Sequence, residues 1–133
     1  MSYVSLASAI ITKLNEVSEI NVVYNYEAKE LLGYPAVTVT ALGHVNTPHD
    51  TAGNVRNFQF VVRAYFPTSI AQDAETILRD LADKIIVKLE EDPSLGGACD
   101  YTRATEGKFL YQEREVPVRI VEITINCIKR LNR

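Results

Sequence analysis

Two stretches alternate apolar and polar side chains with period two, and the segment between them carries a stripe of helical period. A chain patterned this way has to build a sheet and lay a helix on it. In residues 56–66, Phe58, Phe60, Val62 and Ala64 fall on one side and Asn57, Gln59, Val61, Arg63 and Tyr65 on the other. Residues 116–129 set Val121, Ile123, Ile125 and Cys127 against Ile120, Glu122, Thr124, Asn126 and Ile128. Between them Ile70, Ala74, Ile77, Leu78, Leu81, Ile85 and Leu89 recur at three and four, with Arg79, Asp80, Asp83, Lys84 and Lys88 on the opposite side. Pro67 stops the first strand, and Ser69 followed by Gln72 has the spacing of a capping box, with Asp73 and Glu75 near the positive helix end.

The flanking segments complete the pattern. Leu6, Ile10, Ile11, Leu14 and Val17 line one face of an amphipathic helix that Ser2 or Ser5 can cap. Residues 21–26 read as a short extended stretch and 27–32 as a turn ending at Gly33. Pro35 lacks a donor and fits just before a strand at 36–42, where Val37, Val39 and Ala41 oppose Thr38 and Thr40. That strand is expected to pair antiparallel with 56–66. Residues 43–55 hold Pro48, Asp50, Gly53 and Asn54, which turns select, and read as a long exposed loop. Pro93, Gly96 and Gly97 end the long helix. Residues 98–105 and 109–115, separated by Glu106-Gly107-Lys108, read as the two arms of a hairpin. The expectation is one α+β domain spanning 1–133, with a mainly antiparallel sheet of four to five strands and two main helices packed on one face. At 133 residues and 47% hydrophobic content, such a chain can bury an adequate core without disulfides or a structural metal.

Charge and chemistry-bearing residues narrow the function classes. The net charge of −3 argues against a protein whose main work is neutralising phosphates. Residues 1–100 carry seven basic and thirteen acidic side chains, a balance of −6, while 101–133 carry seven and four, a balance of +3. This split reads either as an ordinary solvated surface or as opposed patches that help identical subunits meet. No apolar run approaches membrane-spanning length and no signal-peptide order opens the chain, so no membrane is expected as a partner. Cys99 and Cys127 are far apart in sequence and lack metal-like spacing; a reducing cytosol would keep them as thiols.

The only histidines, His44 and His49, lie near each other but far from either cysteine, so no nucleophile and base are paired. His44, His49 and Asp50 lack the register that fixes a metal site, and Gly96-Gly97 precedes a strand, where no phosphate loop belongs. Glu90, Glu91 and Asp92 read as a hydrated run after the helix. Glu122 would be costly to bury alone, so it faces solvent or meets a cation such as Arg63 or Arg119. Cys127 reads as an apolar filler. Tyr24, Tyr26, Tyr34, Tyr65, Tyr101 and Tyr111 are too scattered for a single-strand nucleic-acid platform and suit core edges or subunit contacts. Neither a catalytic residue nor a cofactor is expected.

The order of elements carries a resemblance. An N-terminal helix leads to Gly33-Tyr34-Pro35-Ala36-Val37-Thr38-Val39. After a polar stretch comes Asn54-Val55-Arg56-Asn57-Phe58-Gln59-Phe60-Val61-Val62-Arg63, then the capped helix and Val116-Pro117-Val118-Arg119-Ile120-Val121-Glu122-Ile123. Over nearly its whole length the chain resembles the tail terminator proteins of long-tailed bacteriophages, which are minor tail protein U-like. The resemblance implies a structural virion protein that makes and breaks no bond. It would form a hexameric ring that caps the tail tube, stops polymerisation of the major tail protein and offers a surface to the head-tail connector. DNA would pass through the lumen without sequence-specific binding. The expected location is the tail or neck of the virion, and the host cytoplasm during assembly.

The positional candidates for contact with a neighbour or the tube are His44, His49 and Asp50 in the 43–55 segment, with Arg56 next to it. Arg103, Lys108 and Arg114 in 101–115 come next. Rival readings are another neck, head-tail joining or completion protein, a monomeric enzyme or ligand-binding domain with one pocket, and a nucleic-acid-binding module.

Overall fold

Ser2 opens the first helix, α1 (Tyr3–Leu14), as a reciprocal cap: its Oγ accepts the Ser5 N–H at 3.1 Å while its own N–H donates to Ser5 Oγ. The computed structural model describes residues 2–50, 53–114 and 116–132, with the backbone alone at 48–50, 70–72 and 131–132. After α1 come β1 (Val22–Tyr24), β2 (Ala36–Asp50), β3 (Gly53–Pro67), a 3-10 turn (Thr68–Ile70), α2 (Ala71–Glu90), β4 (Tyr101–Gln112) and β5 (Val118–Asn132). The strands form one sheet in the order β1-β2-β3-β5-β4, antiparallel throughout except for the β1/β2 pair. This is the expected α+β architecture, with a parallel strand added at one margin.

Both helices lie on one face. Leu6, Ile10 and Leu14 of α1 and Leu78, Leu81, Ile85 and Leu89 of α2 join Val37, Val39, Phe58, Phe60, Val62, Ala64, Val121, Ile123, Ile125 and Cys127 in one core. Each large apolar side chain so buried contributes roughly 1.5–3 kcal/mol. On the other side of α2, Glu75–Arg79 and Asp80–Lys84 pair at 2.9 Å one turn apart and keep that face in water. The helix is therefore held by its stripe. Among the described residues no helix is long and apolar enough to cross a membrane. A smaller apolar cluster, Ala36, Tyr65, Val118 and Ile120, lies on the opposite sheet face under Val22, Tyr24, Leu31 and Tyr34.

Three expectations change. Residues 43–50 and 53–55 are not a loop: they extend β2 and β3 into a long hairpin arm, with Val45, Asn46 and Thr47 opposite Asn57, Arg56 and Val55. The turn-forming residues are confined to its tip, and an irregularity between Pro48 and Asp50 accommodates the missing proline donor. Residues 98–115 are not a hairpin either. Tyr101–Gln112 is one strand, and Glu106, Gly107 and Lys108 pair with Thr124, Ile123 and Glu122 of β5. A bulge at Thr105, between Ala104 and Glu106, comes just before this in-register trio, and the turn falls between β4 and β5. Finally, α2 begins at Ala71 after the 3-10 turn, and the Gln72 half of the expected capping box lies outside the described side chains.

Candidate interaction surfaces

The sheet has two long edges that no strand among the described residues covers. On one side β1 pairs only Ala36, Val37 and Thr38 of β2, so the outer edge of β2 is open from Val39 onward. On the other side β4 is the terminal strand. Through the registers of β3 and β5, Val45 stands level with Tyr101, Ala41 with Ala104 and Thr40 with Glu106. Because β2, β3, β5 and β4 alternate in direction, the two open edges run in opposite senses. Apolar side chains crowd both: Leu42 and Val45 on β2, and Tyr101, Phe109, Leu110 and Tyr111 on β4, are each about 40–60% exposed. The first half of β4 is guarded, since Ala104 N–H donates to Glu90 at 2.9 Å beside the bulge.

Next to β4 an open groove of about 460 Å³ runs between strand and helix, lined by Ala82, Ile86, Gly107, Phe109, Val121 and Ile123. Of two smaller grooves, one lies between residues 16–19 and α2 and the other between α1 and β2. None brings together a nucleophile, a base and an anion hole. Among the described residues no three His, Cys, Asp or Glu side chains are grouped to hold a metal.

One polar cluster is a clamp. On the sheet face away from the helices, Arg63 Nε donates to Glu122 at 2.7 Å and Arg63 Nη1 to Glu27 at 3.0 Å. Tyr65 donates to the other Glu27 oxygen at 2.9 Å. Burial lowers the Arg63 pKa, but Glu122 and Glu27 more than offset this and the net shift is upward. Burial, followed by the Glu27 contact, pushes the Tyr65 phenol up. Glu122 thus has the cation its position required. The cluster straps residues 27–29 onto the sheet, with every charge already paired, so it lacks the free acid or base that catalysis needs. A second network, Asn57 and Gln59 donating to Asn126 Oδ1 while Asn126 donates to Thr105, ties three strands on the same face.

The seven sequence candidates scatter over these features. His44 sits on the arm's base, its Nδ1 2.6 Å from Tyr3 Oη and its ring against Phe58, and so anchors α1 to β2. His49 and Asp50 lie on the arm's backbone, and their side chains are outside the described set. Arg56 stacks 6.0 Å from the Phe58 ring centre, its Nε buried and without a hydrogen-bond partner among the described residues. Arg103 lies over the Tyr101 ring and donates to its hydroxyl, while Lys108 is 3.6 Å from Glu106; both are exposed on β4. Arg114 is a strap residue: it donates to the Lys29 carbonyl at 2.8 Å and to Gln112, and stacks on Tyr65. Sequence reasoning missed Glu27, Leu42 and Val45. The edge residues could have been found only by knowing where β1 stops.

No protein-family model matches the chain, and no curated protein sequence matches it.

Proposed function

We propose that this chain is a ring-forming structural subunit, a tail terminator of a long-tailed bacteriophage, whose copies join side by side and close the end of the tail tube. The observation that carries this reading is the pair of open, oppositely running sheet edges. When a second copy is placed beside the first in the same orientation, its β2 edge meets β4 antiparallel, the favoured pairing. Such a contact is heterologous: it uses two different patches, and it closes into a ring when the rotation between copies divides a full turn. Six copies are what the family resemblance implies. The end of the sheet where β2, β3 and β5 run on past the start of β4 is the part that would reach the tail tube or the head-tail connector, and DNA would run through the lumen without base contacts. The virion tail or neck is the proposed location, with assembly in the host cytoplasm.

Negative-stain imaging with multi-angle light scattering tests the reading, on the protein alone and with tail tubes. Six-fold rings, or tubes capped at one end and no longer growing, are expected. A strict monomer that neither binds nor caps tubes refutes it. The edge contact is tested by Val45→Lys and Tyr111→Lys, both exposed; each is expected to weaken self-association at least about tenfold, equivalent to about 1.4 kcal/mol per contact, while the melting temperature stays put.

A further inference from the structure

Cys99 and Cys127 are remote in sequence, yet the fold brings both into one core, each against Thr102. Cys127 pairs with Thr102 across β4 and β5, and Asp100 N–H bonds the Ile128 carbonyl at 2.9 Å, which brings the residue before it against β5. Thr102 Oγ1 lies 3.2 Å from Cys99 Sγ. Both thiols are buried, at 3% and 0% exposure. We propose that Cys99 and Cys127 form a reversible oxidation site, closing to an intramolecular disulfide when the protein meets a peroxide.

The two sulfurs have unequal roles. A hydrogen bond from Cys127 is the largest influence on Cys99, with Thr102 and the Tyr101 backbone assisting against burial, and brings its pKa down to about 6. The same contact, reinforced by burial, pushes Cys127 up. Cys99, whose sulfur lies against the Pro93 and Ser94 carbonyls of the covering turn, is the thiolate that attacks. Its sulfur takes one peroxide oxygen, the O–O bond breaks, and the leaving hydroxide gains a proton to become water. Cys99 is then a sulfenic acid, oxidised by two electrons, while the peroxide is reduced by two. With the negative charge gone from Cys99, the cause that held the Cys127 proton is removed. Cys127 loses that proton and attacks the Cys99 sulfur; the S–S bond forms, the S–O bond breaks, and hydroxide leaves with the proton as a second water. A dithiol reductant reverses the change.

Access comes from the cover over Cys99. Residues 92–99 form a short turn in which Leu95, Gly96 and Gly97 all take positive φ, held by Asp92 and Ser94. Opening this turn exposes the sulfur and leaves the β3/β5 pairing intact. The site does not depend on ring formation, so it and the proposed function stand or fall separately.

The test treats the full-length chain at low micromolar concentration with hydrogen peroxide, then denatures it, alkylates with iodoacetamide and measures intact mass. Two alkylated thiols are expected before treatment and none after, with a mass loss of about 2 Da, a monomer band on a non-reducing gel and full reversal by dithiothreitol. The reaction is expected to run at least about tenfold faster in the folded protein than in urea, because the fold holds the sulfurs together. In Cys127→Ser, circular dichroism first checks folding and dimedone then traps the unresolved sulfenic acid on Cys99. If that variant does not fold, the native time course alone decides. Two thiols still alkylatable after peroxide, oxygen added to Cys99 while Cys127 stays free, disulfides only between chains, or no rate advantage over the urea-unfolded chain would each overturn the proposal.

Discussion

Beneath α2, Phe60 and Val62 of β3 and Ile123 and Ile125 of β5 are at most 1% exposed, whereas Leu42 and Val45 of β2 stand 58% and 54% exposed and Tyr111 of β4 54%. These residues share one sheet and similar chemistry. The inner strands have neighbours on both sides and a helix above; the outer ones lack a strand on one side along most of their length. Apolar side chains in the first setting hold the domain together. In the second they add little to folding and are available to another chain.

That contrast makes its strongest demand in the body. Leu78→Ala removes a fully buried side chain from the α2 stripe and is expected to cost about 2–5 kcal/mol, read as a lower urea midpoint. A cost comparable to that of an exposed substitution such as Val45→Ala would erase the distinction. Glu122→Gln is intermediate: it leaves Arg63 with a weaker partner on the sheet face away from the helices and should cost about 1–2 kcal/mol by the same measurement. Restoring stability with a second change at Arg63 would tie the loss to that pair.

Shortening the arm by deleting 45–54 leaves Val55, Arg56 and Asn57 to turn back to Phe58 and takes the partners Gly53 and Asn54 only from the last two paired residues of β5. The expected loss of stability is below about 1 kcal/mol, while assembly on tubes is abolished. A large drop in melting temperature would move the arm into the body. The smallest effect is at low pH. Asp100 accepts Arg130 N–H at 2.8 Å and meets Lys129 at 3.1 Å, and these contacts, the backbone one first, lower its pKa. A carboxylate whose folded pKa is depressed contributes above its unfolded value, near 4, and loses that contribution as pH falls through the folded one. Asp100→Asn should therefore flatten the stability curve slightly below about pH 4 and leave the slope above about pH 6 as it was.

Much of the body was legible from period alone. The faces of β3 and β5 came out as the alternation implied, because a one-residue slip would have turned Phe58, Phe60, Val62 and Ala64 toward water. The stripe of α2 and the Ser2 cap of α1 were equally local. The margins were misread for a common reason. Pro48, Asp50, Gly53 and Asn54 look like a loop, and Glu106-Gly107-Lys108 looks like a turn, until a partner strand supplies hydrogen bonds that override local preference. The candidate site suffered more. Arg114 is drawn into the strap at residues 27–29, a contact that no spacing rule anticipates, and the side chains of His49 and Asp50 lie outside the described residues.

Local pattern, then, determined which residues are helix, which are strand and which face of each is apolar, since periodicity acts over neighbours a few positions apart. Tertiary structure decided that β1 covers only three residues of β2, that β4 ends the sheet, that Glu27 meets Arg63 and Tyr65, and that Cys99 and Cys127 both come to lie against Thr102. Each of these joins positions far apart in the chain, and the choice among such pairings rests on the summed packing of the whole core, which no short window contains.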